Sequence, residues 1–344
     1  MLPCATAFGL VGEPSLSTSF VFRAFQHLGV ALLFSLPMTV LAADGLRLAV
    51  SKSPQSLPIY VALERGLFID EGIDIQVIDC VGGPSCMREL LEGRVDAATA
   101  SEMVVAFSGF DRNDYAIVST IATSSSNLKL IANAQAGALA TPHDWAGKRV
   151  GTSIGSAGHY FLELHLLAIN VDPRGLTIVD LAPEKAVGAL QSGQVDAIAV
   201  WEPFGYLAAK APGATGRVLP RASAYVQTFN LVAARRLFGA RDDALARLLR
   251  AVERGEQFIQ DKPEEAKAIL RKRLQLDEGF VTWFWPSTSF RLGLDQALLR
   301  TMESEARWAV REGQIRGKAS PNFMGFLHTA PLMIAKPSAV SLGR

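Results

Sequence analysis

Four short loops rich in glycine and serine carry the residue types that could bind a small ligand. Glycine lets a ligand approach the backbone closely, serine donates a hydroxyl group, and exposed N–H groups in the first turn of a helix favour an anion. Helix capping is the alternative role for any one of these residues, so the indication of binding comes from repetition of the pattern. The four loops are Ser53-Pro54-Gln55-Ser56, Gly82-Gly83-Pro84-Ser85, Ala100-Ser101-Glu102 and Ile154-Gly155-Ser156-Ala157-Gly158.

One of these loops overlaps a catalytic motif. Gly151-Thr152-Ser153-Ile154-Gly155 has the G-x-S-x-G pattern of a nucleophile elbow and lies between a strand-like and a helix-like run. A hydrolase of that type needs an acid and then a histidine further along the chain. The late histidine is His328, in an apolar tail that contains proline. We therefore predict no catalytic residue and no enzyme activity, with a serine hydrolase that uses Ser153 as the least favoured alternative.

Phosphate-loop and metal chemistry are not indicated either. No Gly-Lys-Ser/Thr sequence follows the glycine-rich loops, as a phosphate-binding P-loop requires. His159 and His165 are six residues apart, which places them on different faces of a helix. The sequence predicts no cofactor and no metal site.

A nine-residue phrase occurs twice, one hundred residues apart. Residues 90–98 (LLEGRVDAA) return as residues 190–198 (LQSGQVDAI). In each copy an amphipathic run reaches a glycine that fits the left-handed position at a helix end, and the Val-Asp-Ala run that follows is typical of a buried strand. The repeat predicts two similar α/β lobes, with a cleft between them.

The flanking patterns extend each copy into an alternation of strands and helices. This order is typical of a mostly parallel sheet flanked by helices, whose ligands bind beyond the carboxyl ends of the strands. A returning strand at Phe229–Ala234 and three amphipathic helices at Asp242–Gln260, Pro263–Leu274 and Asp295–Glu312 follow. The predicted strands of the two copies are Leu46–Val50, Ile73–Ile78 and Val95–Ala100, then Lys148–Thr152, Leu176–Leu181 and Val195–Val200.

Bulk composition excludes several function classes. Of 344 residues, 49% are hydrophobic and 19% are charged, which is typical of a folded chain and not of a disordered one. The 34 basic and 33 acidic residues give a net charge of +1, and no basic run stands out. We therefore predict no nucleic-acid partner and no binding to an anionic membrane surface.

The N-terminal segment has the organisation of a secretory signal peptide. Arg23 and His27 precede an apolar stretch over residues 28–41, and small residues follow at Ala42 and Ala43. The stretch is too short to span a membrane and contains Pro37, which argues against the membrane tether of a sensory ectodomain. We predict cleavage near Ala42 and a soluble mature chain in an oxidising, periplasmic compartment.

Two cysteines and three tryptophans are of interest in the mature chain. Cys80 and Cys86 flank a turn, and the sequence leaves open whether they form a disulfide. Trp201 follows the second Val-Asp-Ala strand and could cover a ligand or pack against the sheet. Trp283 and Trp285 are interpreted as a packing element near the hinge or the tail.

The order of these motifs resembles a known family. In the first lobe, Pro58, Val61-Ala62, Arg65-Gly66, Gly82-Gly83 and Val95-Asp96-Ala97 resemble periplasmic substrate-binding proteins for nitrate, taurine and aliphatic sulfonates. In the second lobe, Trp145, Gly147-Lys148, Gly155-Ser156, Val195-Asp196-Ala197 and Trp201-Glu202-Pro203-Phe204 follow the same order and spacing. The likeness extends over residues 46–206 and more loosely through the tail.

The resemblance implies a type II periplasmic binding protein of the SsuA/THI5-like superfamily. Such a monomer carries a small-molecule ligand to the membrane permease of an ABC importer with its ATPase. Its two lobes are joined by two crossing hinge strands, here expected near residues 130–135 and 222–232, and they close on the ligand. The implied domain limits are 1–42 for the signal peptide, 43–132 and 133–225 for the two lobes, and 226–344 for the return to the first lobe with C-terminal helices.

The resemblance also implies a set of ligand-binding residues. Gly155 and Ser156 would hold the anionic end of the ligand, and the remaining positions are Ser53, Gln55, Gly83, Ser85 and Ser101 from the first lobe and Trp201 from the second. Glu102 departs from this pattern, because an acid at the cleft mouth could repel an anion or pair with an amine. A thiamine-precursor pyrimidine is the alternative ligand. An enzyme of the pyrimidine-synthase type is disfavoured, since it would need catalytic histidine and cysteine residues in the cleft.

Overall fold

The first part of the described chain alternates strands and helices as the sequence predicts. The structure is a computed structural model that describes residues 44–137 and 139–343, so the predicted signal peptide (1–42) lies outside the described residues. Its first elements are β1 (Asp44–Ser51), α1 (Leu57–Glu64), α2 (Leu67–Asp70), β2 (Ile73–Cys80), α3 (Gly82–Leu91), β3 (Ala97–Ser101), α4 (Glu102–Ser108) and β4 (Tyr115–Ser124).

The second repeat and the tail follow the same order, with additional elements. The repeat contains β5 (Leu128–Asn133), β6 (Arg149–Thr152), α5 (Ala157–Ala168), β7 (Thr177–Asp180), α6 (Pro183–Gln191), β8 (Ala197–Trp201), α7 (Phe204–Ala209) and β9 (Gly216–Val218). The tail contains β10 (Gln227–Ala234), α8 (Asp242–Asp261), α9 (Pro263–Leu274), α10 (Glu278–Phe284), β11 (Thr288–Asp295), α11 (Gln296–Arg311), α12 (Ala330–Ala335) and β12 (Val340–Ser341).

The strands form two separate sheets, which confirms the predicted two-lobed α/β architecture. The first lobe is the seven-stranded sheet β12-β11-β4-β10-β3-β1-β2 with α1–α4 and α8–α12, and the second lobe is the five-stranded sheet β7-β6-β8-β5-β9 with α5–α7. Strands β1, β2 and β3 run parallel, as do β6, β7 and β8. Strands β4, β5, β9, β10 and β11 pair antiparallel, so each sheet is mixed.

The chain crosses between the lobes twice, at residues 125–127 and 219–226. The first crossing lies earlier than the predicted position at 130–135, because β5 pairs with β8 and β9 in the second sheet. Residues 128–132, which the predicted domain limits assign to the first lobe, therefore belong to the second sheet. The buried strands on both sides of this crossing have the same apolar character, so the sequence does not indicate which sheet each joins.

The sequence repeat performs the same structural task in both lobes. Gly93 and Gly193 have φ values of 74° and 71°, the left-handed conformation expected after a helix. The Asp96 carboxylate accepts a 2.9 Å hydrogen bond from the backbone N–H of Arg47, and Asp196 accepts one of 2.9 Å from Arg149. Each aspartate thus joins the start of the strand after the repeated helix to a neighbouring parallel strand of its own lobe, β1 in the first and β6 in the second.

The contact between α8 and α1 depends on a glycine, which gives a stability prediction. A Cβ atom added to Gly255 in α8 would lie 2.3 Å from the Pro58 carbonyl oxygen of α1, which is backbone and cannot rotate away. We expect Gly255→Ala to lower the free energy of unfolding by about 3 kcal/mol. The control is Gly188→Ala in α6, which has open space and should gain up to ~1 kcal/mol of helix propensity. Equal urea midpoints for the two variants would contradict this packing.

Candidate functional site

A small cavity lies where loops of both lobes meet, and we call it the chamber. Its volume is about 30 Å³ with the lobes in this arrangement. The structure brings six of the eight predicted site residues to its wall. These six are Ser53, Gln55, Gly83, Ser101, Ser156 and Trp201. The wall is completed by Ser51, Val104, Asn127, Ala157 and Gln227, which sequence reasoning missed.

The other two predicted residues lie outside the chamber wall. The Ser85 hydroxyl donates to the Val81 carbonyl at 2.6 Å and lies 3.1 Å from the Gly82 carbonyl, so it bonds to the backbone at the start of α3. Gly155 lies beside the chamber, where it contacts Phe107 of the first lobe. Both residues lie in the predicted loops, but neither lines the chamber.

Three polar atoms of the chamber residues are buried without a hydrogen-bond partner in the protein. They are Ser51 Oγ, Gln55 Nε2 and Asn127 Oδ1. Burying such an atom unpaired costs about 1–3 kcal/mol, so a protein rarely concentrates several at one place without a reason. The Asn127 side chain is held in place because its Nδ2 donates to Gln227 Oε1 at 2.7 Å. The chamber therefore offers both donors and an acceptor.

The chamber wall carries no ionisable side chain among its eleven residues. Its electrostatic character comes instead from helix N-termini, where unpaired N–H groups give a partial positive charge. Gly83 lies in the first turn of α3 from the first lobe, and Ala157 is the first residue of α5 from the second lobe. Ser156 caps α5 by accepting from the backbone N–H of His159 at 3.4 Å. The wall thus favours a ligand group that is negative and accepts hydrogen bonds.

The lobes contact each other on both sides of the chamber through a glycine and an aromatic ring. A Cβ atom added to Gly82 would lie 3.2 Å from Cζ2 of Trp201 in the second lobe. A Cβ atom added to Gly155 would lie 3.2 Å from Cε1 of Phe107 in the first lobe. Both glycines have positive φ, 77° and 74°, so their backbone also favours glycine.

Glu102 does not lie at the mouth of the cleft, which corrects the sequence interpretation. Its side chain is fully buried behind the chamber, where Oε2 accepts from the backbone N–H and the hydroxyl of Thr228, both at 2.9 Å. Its other oxygen contacts the Tyr225 hydroxyl. Glu102 therefore does not line the chamber and makes no direct contact with a ligand there.

Glu102 and Glu305 share one tyrosine hydroxyl. Tyr225 Oη contacts Glu102 and also lies 2.9 Å from Glu305 Oε1. A hydroxyl has a single proton to donate, so one of the two carboxyl groups must itself carry a proton. Burial raises the pKa of Glu102 to about 7, and burial together with the nearby Glu102 charge raises the pKa of Glu305 well above its usual range.

These raised pKa values predict that the fold loses stability as the pH rises. Above the unfolded pKa near 4.5, the folded state holds a proton that the unfolded state has released, so the free energy of unfolding falls until the folded pKa is passed. We expect a loss on the order of 3 kcal/mol between pH 5 and pH 8, measured by urea unfolding. Glu305→Gln should flatten this dependence. A wild-type stability that rises over the same interval would contradict the shared proton.

The two histidines relevant to Ser153, the nearby His159 and the remote His328, interact with other groups. His159 Nδ1 accepts from the Gly155 backbone N–H at 3.3 Å, and its Nε2 lies 3.4 Å from Glu163 Oε1. His328 lies 2.7 Å from Asp242 Oδ1 and stacks on Phe238. The Ser153 carbonyl accepts from the Ser156 hydroxyl at 2.6 Å, so the elbow-like loop serves to cap α5.

The structure also shows what the two cysteines and Trp283, noted in the sequence, do in the fold. Cys80 and Cys86 form a disulfide that ties the end of β2 to α3. Trp283 Nε1 donates to the buried Glu202 at 2.5 Å, which joins α10 to the residue after Trp201.

Within residues 44–137 and 139–343 there is no grouping of His, Cys, Asp and Glu that could hold a metal ion. In the same part of the chain, no helix has the length and apolar character needed to cross a membrane.

Comparisons with known proteins agree with this architecture. A candidate binding protein of Brucella abortus (strain 2308) is 23% identical over 232 residues, which cover 63% of this chain and 67% of that protein. The alkanesulfonate-binding protein SsuA from Xanthomonas axonopodis pv. citri, solved bound to MOPS, superposes with a TM-score of 0.72 at 19% identity, covering 84% of this chain and 100% of that one. The periplasmic nitrate-binding protein NrtA from Synechocystis PCC 6803 gives a TM-score of 0.62 at 13% identity, covering 88% and 86%.

The fold is therefore that of two-lobed periplasmic binding proteins. A family model described as NMT1/THI5 like matches residues 53–266, which is more than half of the chain. This range contains every residue of the chamber wall except Ser51. The chain belongs to the NMT1/THI5-like family.

Proposed function

We propose that this chain is an exported solute-binding protein that captures a small monoanion in the chamber and delivers it to the permease of an ABC importer. The observation that carries the proposal is the pair of unpartnered donors, Ser51 Oγ and Gln55 Nε2, at a chamber that both lobes line. A ligand that supplies their missing hydrogen bonds removes the cost of burying them.

The character of the wall supports an anion. The N-termini of α3 and α5 approach the chamber from opposite lobes, and their partial positive charges repel each other unless a negative group lies between them. No lysine or arginine lines the wall, so a single negative charge is better matched than a doubly charged ion. Sulfonate, carboxylate and nitrate groups have this charge and accept several hydrogen bonds.

Recognition by two lobes provides the mechanism for closure. Gln55 and Gly83 belong to the first lobe and Ser156 and Trp201 to the second, so a ligand contacts all of them only when the lobes are together. A ligand shifts an equilibrium between open and closed forms by its difference in affinity for the two. The crossings at 125–127 and 219–226 are the positions where the chain would bend.

The relatives support the transport role and the ligand class. Solved proteins of the same fold are described as binding alkanesulfonates and nitrate. The proposed partner is accordingly a membrane permease with its ATPase, and the proposed location is the periplasm. Ligand capture by hydrogen bonds requires no cofactor.

A thermal-shift panel tests the proposed function. The full chain is heated with alkanesulfonates, nitrate, carboxylates and thiamine-precursor pyrimidines, and a ligand that binds the folded state raises the melting temperature. We expect stabilisation by monoanions and none by pyrimidines. Stabilisation by pyrimidines alone would replace the anion by the alternative ligand. No stabilisation by any of them, together with ester hydrolysis that is lost in Ser153→Ala, would show a hydrolase instead.

A further inference from the structure

A pair of buried carboxyl groups lies behind the chamber, and Glu102 is the first of them. Ser101 and Val104, on either side of Glu102 in the chain, line the chamber, whereas Glu102 itself is fully buried and does not. In the same way, Gln227 lines the chamber while the next residue, Thr228, donates two hydrogen bonds of 2.9 Å to Glu102. An ionised Glu102 therefore repels an anion in the chamber through the chamber wall, without touching it.

Glu305 of α11 is the second member of the pair. Its side chain is fully buried, and its Oε1 lies 2.9 Å from the Tyr225 hydroxyl that also contacts Glu102. Its Oε2 has no hydrogen-bond partner within the described residues. The side chains that bond to the two carboxyls, Tyr225 and Thr228, are both neutral. In the part of the chain that the structure describes, no hydrogen-bonded cation thus offsets a negative charge on the pair.

The elements packed around the pair carry other charged groups, and these have partners of their own. In the second crossing, the Arg221 guanidinium donates to the Tyr225 backbone carbonyl. Farther along α11, Arg311 pairs with Glu312 at 2.6 Å. Both guanidinium groups are thus held by atoms outside the pair.

Helix α5 of the second lobe brings three titratable side chains to this region. Tyr160 packs edge-on against the Tyr225 ring, with centroids 5.4 Å apart. His159 accepts from the Gly155 backbone N–H and lies 3.4 Å from Glu163. Because His159 is in the first turn of α5, beside the chamber, it is the competing candidate for a proton that responds to a bound anion.

We propose that the Glu102–Glu305 pair couples capture of the anion to uptake of a proton, so that the ligand binds more weakly as the pH rises. The inference rests on the proposed function and adds a regulation to it. As the pair ionises, its negative charge opposes that of the ligand, and one proton taken from solvent removes that charge. Conversely, an anion in the chamber raises the pKa of Glu102, which burial has already raised to about 7.

Titration calorimetry of the wild-type chain with methanesulfonate tests this coupling. Methanesulfonate stays ionised throughout the range, so its own charge does not change. If the bound anion raises the pKa of the pair by about one unit, the affinity should fall about tenfold between pH 5.5 and pH 9. At pH 7.5, titrations in buffers of different ionisation enthalpy should show uptake of about half a proton per ligand bound.

A double variant assigns the proton to the pair. Glu102→Gln with Glu305→Gln keeps the size of both side chains and mimics the protonated state. It should bind methanesulfonate at pH 9 as tightly as the wild type does at pH 5.5, without proton uptake. The matched control is Glu256→Gln, at a buried glutamate of the first lobe that accepts from the Leu292 backbone N–H at 2.9 Å and does not line the chamber. It should keep the wild-type pH dependence.

The outcomes separate the coupling from the proposed function. Wild-type affinity that is equal at pH 5.5 and pH 9, or binding that releases protons, overturns the coupling and leaves anion capture intact. This measurement decides the point even if the double variant does not fold. A pH dependence that survives in the folded double variant places the proton elsewhere, with His159 as the next candidate, and overturns the role of the pair. Binding of methanesulfonate, nitrate and carboxylates at neither pH overturns the proposed function itself.

Discussion

Ser156→Asp should abolish anion binding while the protein keeps its fold. Aspartate caps a helix as well as serine does, so the N-terminus of α5 stays ordered. The new carboxylate, however, lies at the chamber wall, next to the position of the ligand's negative group. Two like charges about 4 Å apart repel by about 4 kcal/mol at the effective dielectric constant of a protein, which lowers affinity on the order of 1000-fold.

Ser156→Asn is the matched control for this prediction. Asparagine has the size of aspartate and also caps helices, but it is neutral. It should weaken binding only about fivefold, roughly the value of one neutral hydrogen bond. Titration calorimetry of both variants with one sulfonate, after circular dichroism has confirmed their fold, measures the difference. Equal affinities for the two variants would show that the charge of the chamber does not matter.

Gly82→Leu should hold the lobes apart. A side chain at this position meets the Trp201 ring, so the second lobe cannot reach the ligand while the first lobe still can. Losing the hydrogen bonds from one lobe, at about 1.5 kcal/mol each for two bonds, lowers affinity on the order of 100-fold. Small-angle X-ray scattering with saturating ligand should show no decrease in the radius of gyration, in contrast to the wild type.

The control for this variant lies at the other end of the same helix. Gly93 follows α3 and has a φ of 74°, close to the 77° of Gly82, but it has open space around it. Gly93→Leu should therefore lower the free energy of unfolding by about 1–2 kcal/mol, as Gly82→Leu does through its backbone, but without contacting the other lobe. If it weakens ligand binding as much as Gly82→Leu does, backbone strain and not lobe contact explains the effect.

The fold could be predicted from sequence largely because of the repeat. Residues 90–98 and 190–198 predict a helix end and a buried strand in each lobe. The structure confirms the left-handed conformation of Gly93 and Gly193 and the buried strands β3 and β8 that follow them. β11 was missed, although Phe290, Leu292 and Leu294 alternate with exposed or half-buried residues as a strand requires. The pairing of β5 could not be predicted, because a strand buried on both faces gives no signal for its partner.

The chamber was predicted in part. Ser53, Gln55, Gly83, Ser101 and Ser156 lie in loops whose composition indicates contact with a ligand. Asn127 lies in the first crossing and Gln227 directly follows the second. Only the tertiary structure brings Asn127 Nδ2 and Gln227 Oε1 to 2.7 Å from each other across one hundred residues of sequence. The position of Glu102 was wrong because its partners, Tyr225, Thr228 and Glu305, are remote in the sequence, and nothing local distinguishes a buried acid from one at a cleft.

The most direct test is a crystal structure of the full chain with 2-bromoethanesulfonate, located by the anomalous signal of its bromine. The two-lobe account predicts sulfonate oxygens at hydrogen-bonding distance, about 2.7–3.2 Å, from Gln55 in one lobe and from the first turn of α5 in the other. A sulfonate found in any other cavity, or touching a single lobe, would contradict it.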